Sequence, residues 1–151
     1  MKYRNSITIA KPLEVVIRKL DSVNNMKHWQ EGLIRSEHIS GTPGQFGAKM
    51  KLVYNFGNTK IELKETITKC NLPHELHASY NRKGMYNIQQ NYFRTTNNGE
   101  TEWVAEYEYL PTNFFMQIMT LAMPRIFKKE SYRYMKNFKN FVEHNISVAN
   151  A

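Results

Sequence analysis

The feature that most constrains the fold of this chain is a long helical run, residues 112–146, placed after seven strand-like segments, most of them alternating apolar and polar residues. Thr112, following Pro111, is the expected N-cap, because its hydroxyl can take an orphan N–H of the first turn. The front of the run, Phe114, Phe115, Met116, Ile118, Met119, Leu121, Ala122 and Met123, is apolar nearly all round, and a helix of that kind expects apolar neighbours on every side. The back narrows to a stripe of Phe127, Ser131, Tyr134, Phe138 and Phe141 or Val142, opposite Arg125, Lys128, Lys129, Arg133, Lys136 and Lys139. Pro124 stands between the two halves. Proline removes a helical hydrogen bond and clashes one turn back, so a kink or break is expected at residues 121–123.

The segments before the helix alternate with period two, the mark of half-buried strands. The chain opens with Tyr3, Asn5, Ile7 and Ile9 against Lys2, Arg4, Ser6 and Thr8. Pro12 then leads into a short helix with Leu13, Val16, Ile17 and Leu20 at helical spacing, and a second short helix ends near Trp29. Strands follow over residues 33–40 and through Phe46, Ala48, Met50, Leu52, Tyr54 and Phe56. The next row is Ile61, Leu63, Glu65 and Ile67, then Leu76, Ala78 and Tyr80, then Tyr86, Ile88, Gln90 and Tyr92. Asn97-Asn98-Gly99 is a hairpin signal, since Asn and Gly tolerate positive φ. Thr101, Trp103, Ala105, Tyr107 and Tyr109 form the last inner row. A sheet with one apolar face must cover it, and the terminal helix is the element left to do so. Met50, Leu52, Ile61, Leu63, Ile88, Trp103 and Ala105 are therefore expected to face that helix.

With 151 residues, the chain is read as one domain, 1–151, large enough to bury about 70% of its unfolded surface. No apolar run reaches the roughly 18 residues of a membrane span. Met1-Lys2-Tyr3-Arg4-Asn5 leads into no apolar signal region, and the single Cys70 cannot form an internal disulfide, so a cytoplasmic location is expected. The formal charge of +8 comes from scattered Lys and Arg, dense only on the last helix, which reads as a solvated face rather than a DNA-binding patch.

Order and spacing together resemble the helix-grip fold of the START/Bet v 1-like superfamily, also called the SRPBCC or polyketide cyclase/dehydrase group. The stretch from Ile7 through Thr8, Ile9, Ala10, Lys11, Pro12, Leu13, Glu14 and Val15 to Val16 is similar to that group's opening strand and its proline-led helix. Met26-Lys27-His28-Trp29 resembles the tryptophan closing the second short helix, and Gly44-Gln45-Phe46-Gly47-Ala48-Lys49-Met50 the glycine turn before the third strand. Pro124 departs from the pattern. The resemblance implies an α+β fold in which a curved antiparallel sheet of about seven strands wraps a long C-terminal helix. It makes the first and last strands neighbours, setting Lys2 and Arg4 across from Glu102, Glu106 and Glu108. It also implies a cavity for hydrophobic ligands of lipid, polyketide, isoprenoid or quinone type.

The residues expected to line that cavity are Tyr54, Phe56, Tyr80, Tyr92, Trp103 and Tyr107, with Phe115 and Met119 from the helix. Each aromatic can equally serve as core packing, but buried tyrosine hydroxyls need partners. Glu65 shares the face of Ile61, Leu63 and Ile67, where a carboxylate could hold a ligand hydroxyl or act as a base, unless a bulge turns it outward. Gln90 shares the expected inward parity of Ile88 and Tyr92. His74 and His77, three apart on a strand, fall on opposite faces, so no metal pair is expected. No phosphate loop or dinucleotide fingerprint is present, and no cofactor is implied. The leading reading is non-catalytic binding of a small hydrophobic molecule by a monomer or homodimer. A cyclase/aromatase-type enzyme is the alternative, and a quinone-handling or ribosome-associated protein of the same superfamily comes behind it. A cyclase needs at least two convergent ionisable groups, and only Glu65 stands out.

Overall fold

The computed structural model describes residues 1–150. Seven strands, β1 (Lys2–Ile9), β2 (Leu33–Ser40), β3 (Lys49–Phe56), β4 (Thr59–Asn71), β5 (Glu75–Arg82), β6 (Met85–Thr95) and β7 (Thr101–Pro111), form one antiparallel sheet. Its order is β1-β7-β6-β5-β4-β3-β2. Two short helices, α1 (Leu13–Leu20) and α2 (Met26–Trp29), carry the chain from one edge of the sheet to the other. The terminal run is two helices, α3 (Phe114–Ala122) and α4 (Pro124–His144). The expected helix-grip architecture is present.

The break falls where proline requires it. Met123 leaves helical geometry at φ −133 and ψ 52, and Pro124 restarts the helix at its first turn, where a missing N–H costs nothing. The cap lies one residue later than expected: the Asn113 side chain, not Thr112, accepts from Met116 N at 2.9 Å. The apolar front of the run is not surrounded. α3 sits on the rim of the sheet, so only one of its faces meets protein.

α4 buries Ser131, Met135, Phe138, Phe141 and Val142. Its core is aromatic. Phe138 lies between Trp29 and Trp103, with ring centroids 5.1 and 5.4 Å away and edge-on geometry to both. Ile7, Ile9, Val16, Phe93 and Ala105 complete that cluster beneath β1 and β7. β1 pairs with β7 from Lys2 opposite Glu108 to Ile9 opposite Thr101, so the expected charge rows do face one another. Lys2 reaches Glu108 at 3.8 Å, while Glu102 is taken by Arg94 at 2.6 Å.

One correction follows from pairing. β6 presents Met85, Asn87, Gln89, Asn91 and Phe93 to the concave side, because these stand opposite Pro111, Tyr109, Tyr107, Ala105 and Trp103 of β7. Directly paired residues of an antiparallel sheet share a face. Ile88, Gln90 and Tyr92 are therefore on the convex side, against the expectation for all three. Tyr92 packs there on His77, ring centroids 5.0 Å apart.

α3 is seated on the turn between β5 and β6. Gly84 holds φ +83, and its carbonyl accepts from Thr112 N at 2.9 Å. A Cβ on Gly84 would lie 2.9 Å from Met116 Cγ and closer still to Asn113. Gly84→Ala is expected to cost about 1–3 kcal/mol, from left-handed backbone strain plus displacement of the α3 cap. A denaturant midpoint unchanged from the parent would contradict this seating.

Candidate functional site

Between the solid aromatic core and the β3–β5 side of the sheet, the fold leaves a cavity of about 440 Å³. Its walls come from every layer. Tyr54, Phe56, Ile61, Leu63 and Tyr80 form the sheet side, and Trp103, Tyr107 and Tyr109 the side shared with the core. Met119 and Met123 close it from the helix break, and Ile126, Phe127, Ser131, Tyr134 and Met135 from α4. The reason is geometric: α4 lies along β1 at one end of the order, and the sheet curls away from it towards β3.

Of the ten residues expected at the site, Tyr54, Phe56, Tyr80, Trp103, Tyr107 and Met119 stand in this wall. Gln90 and Tyr92 do not, because of the β6 parity. Phe115 does not, because it lies on the outer face of α3 and is 67% exposed. Glu65 keeps its inward parity, since the β4 bulge falls beyond it, between Ile67 and Lys69. It is half-buried one pleat beyond the wall, paired across strands with Met50 and Tyr80. Asn87 and Gln89 are wall residues that the alternation concealed.

The polar groups around the cavity are largely committed to the protein. Tyr54 donates to Gln30 Oε1 and stacks on Phe56 at 5.9 Å. Tyr134 donates to the Glu31 carbonyl at 3.0 Å, and burial pushes its hydroxyl up to about 12. Tyr3 hydrogen-bonds with Ser131 and with the Phe127 carbonyl, pinning β1 to α4. Trp103 Nε1 donates to Asn91 Oδ1 at 2.9 Å, and Gln89 Nε2 donates to the same oxygen at 3.0 Å. Two wall residues differ. Trp29 Nε1 and Asn87 Oδ1 are buried with no hydrogen-bond partner among the described residues. Such orphans are uncommon in native interiors, and both atoms lie behind the cavity surface rather than on it.

Glu65 and Tyr80 form a titratable pair beside the cavity. Burial pushes the Glu65 carboxyl above the usual carboxylate range, and a hydrogen bond from Tyr80 offsets part of that rise. Burial, then the neighbouring Glu65 charge, pushes the Tyr80 hydroxyl well up. A carboxyl that binds its proton more tightly folded than unfolded contributes stability at low pH. That contribution is lost as pH rises from the unfolded value through the folded one. Glu65→Gln should therefore gain on the parent at about pH 8 relative to about pH 4 in urea melts. An equal difference at both pH values would mean that Glu65 titrates as an ordinary surface carboxylate.

No family model matches the chain, and no curated protein matches it. Solved structures do. Ara h 8.0201 superposes with a TM-score of 0.73 over 94% of this chain and 97% of its own, at 8% identity. TTHA0849 from Thermus thermophilus gives 0.72 over 94% and 97%, at 14% identity. The di-domain ARO/CYC StfQ from the steffimycin biosynthetic pathway gives 0.76 over 95% of this chain and 45% of that one, at 13% identity. At these identities the likeness is one of fold. The fold is the Bet v 1-like, polyketide cyclase-type helix grip.

Proposed function

We propose that this protein binds a small, mostly apolar molecule in the cavity, without catalysis, as a single-domain cytoplasmic carrier or sensor. The observation that carries the reading is a largely aromatic and aliphatic cavity of about 440 Å³ with Arg82, Asn87 and Gln89 among its few polar wall residues. Ligand pockets commonly span about 300–1,000 Å³ and combine apolar walls with a few placed polar groups. Walls of this kind suit a ligand with a hydroxyl or carbonyl on a hydrophobic body, of the lipid, polyketide, isoprenoid or quinone class. Titration with a fluorescent hydrophobic probe should give one saturable site per chain, with the probe displaced by menadione or a long-chain alcohol. Probe signal that rises without saturation and resists displacement would overturn the reading.

A second reading, cyclase/aromatase chemistry, is favoured by Glu65 and Tyr80. Tyr80 stands in the wall with the Glu65 carboxyl behind it, whose proton burial holds more tightly than usual, a pair able to pass a proton. The structural likeness to StfQ points the same way. Cyclised product formed from a poly-β-ketone thioester by the parent, and lost in Tyr80→Phe with probe affinity retained, would favour this reading over simple binding.

A further inference from the structure

α3 turns outward the kind of face that a water-facing helix keeps polar. Phe114, Phe115, Ile118 and Leu121 are 75%, 67%, 47% and 83% exposed. At 3.6 residues per turn they fall within an arc of about 120°. The opposite face, Met116, Met119 and Thr120, meets the Gly84 turn and the cavity roof. Cations flank this apolar face at both ends. Arg125, Lys128 and Lys129 follow it at the start of α4, and Lys83 lies in the turn on which α3 is seated. All four are exposed and make no ion pair among the described residues. No acidic residue occurs between Glu108 and Glu130. Those two are themselves paired, with Lys2 and Arg133.

We propose that α3 and the first turn of α4 dock on an anionic lipid bilayer surface. Phe114, Phe115, Ile118 and Leu121 enter the boundary between headgroups and acyl chains, and Arg125, Lys128 and Lys129 meet the lipid phosphates. Apolar side chains on one helix face with Lys and Arg at its margins are the composition of an interfacial helix. α3 lies in the plane of the surface and does not span it: no helix among the described residues is long and apolar enough to cross a membrane. Charge separates this occupant from a second copy of the chain. A two-fold contact through α3 would set these cations against their own copies with no carboxylate in the patch, whereas the cytoplasmic leaflet is negative. The docking stands on the surface alone and does not depend on what the cavity holds. It does set the Met119 and Met123 side of the cavity next to the lipid.

The test is co-sedimentation of the full chain with phosphatidylcholine vesicles, with and without phosphatidylglycerol. Binding is expected to the anionic vesicles and to weaken with added salt. The double variant Phe115→Gln/Leu121→Gln should lose about tenfold or more in vesicle affinity, as should Lys128→Gln/Lys129→Gln, at about 1 kcal/mol per cation near the surface. These side chains are exposed, so the melting temperature should hold. If the apolar variant fails to fold, the charge variant on α4 decides alone. No binding to anionic vesicles at low salt, or binding unchanged in the charge variant, would overturn the proposal. So would a dimer in sedimentation equilibrium that the apolar variant disperses while vesicle binding is absent.

Discussion

Phe138→Ala should destabilise the fold by about 3–5 kcal/mol, whereas Met119→Ala should cost no more than about 2. Both residues lie on the terminal helices and both are large and apolar, so composition alone would rank them together. Their surroundings differ. Phe138 is 0% exposed, with a tryptophan ring edge-on at each side, and its removal leaves a void that neither indole can fill without leaving its own packing. Met119 is half-buried and borders space that is already empty, so truncation forfeits fewer contacts and creates little new void. The check is a pair of urea denaturations against the parent. Equal losses would mean that the space beneath α3 closes in solution.

The second large effect concerns affinity. The double variant Leu63→Trp/Met119→Trp introduces bulk from the sheet wall and from the roof together. Overpacking a filled site costs about 1–3 kcal/mol, and here that cost should fall on the ligand rather than on the fold, because the new rings enter an existing cavity. Affinity for a hydrophobic probe should drop about tenfold or more, with the melting temperature held or raised. A stability loss above about 3 kcal/mol with probe affinity intact would place the empty space elsewhere.

The fold was legible because its signals were local and redundant. Most strands carried their own alternation, Pro12 marked a helix start, Pro124 marked a break in the terminal run, and Gly99 marked a turn. The site was legible only where parity was unambiguous. Tyr54, Tyr80, Trp103 and Tyr107 lay in clean rows and stand in the wall. In β6 hydropathy pointed to the wrong row: Tyr86, Ile88 and Tyr92 make up the more apolar side, while Asn87, Gln89 and Asn91 are all amides. Register settles the matter. The 97–99 turn puts Phe93 opposite Trp103, and from there every second residue back to Asn87 faces inward. That signal was present in the sequence, in the turn position and in Trp103 together. Phe115 was misplaced for a different reason. A helix apolar all round carries no information about which side meets protein, and only the Gly84 seat fixes the rotation of α3. The orphaned Trp29 Nε1 and Asn87 Oδ1 had no sequence signal, because being without a partner is a property of the assembled interior.

The central claim, that the cavity holds a small apolar molecule, is met most directly by native mass spectrometry of the protein purified from its own host. The expected result is a population heavier than the chain by one discrete small-molecule mass. That mass should disappear on denaturation and be depleted in Leu63→Trp/Met119→Trp. A single species at the mass of the bare chain, gaining no adduct on incubation with lipid, quinone or polyketide extracts, would contradict it.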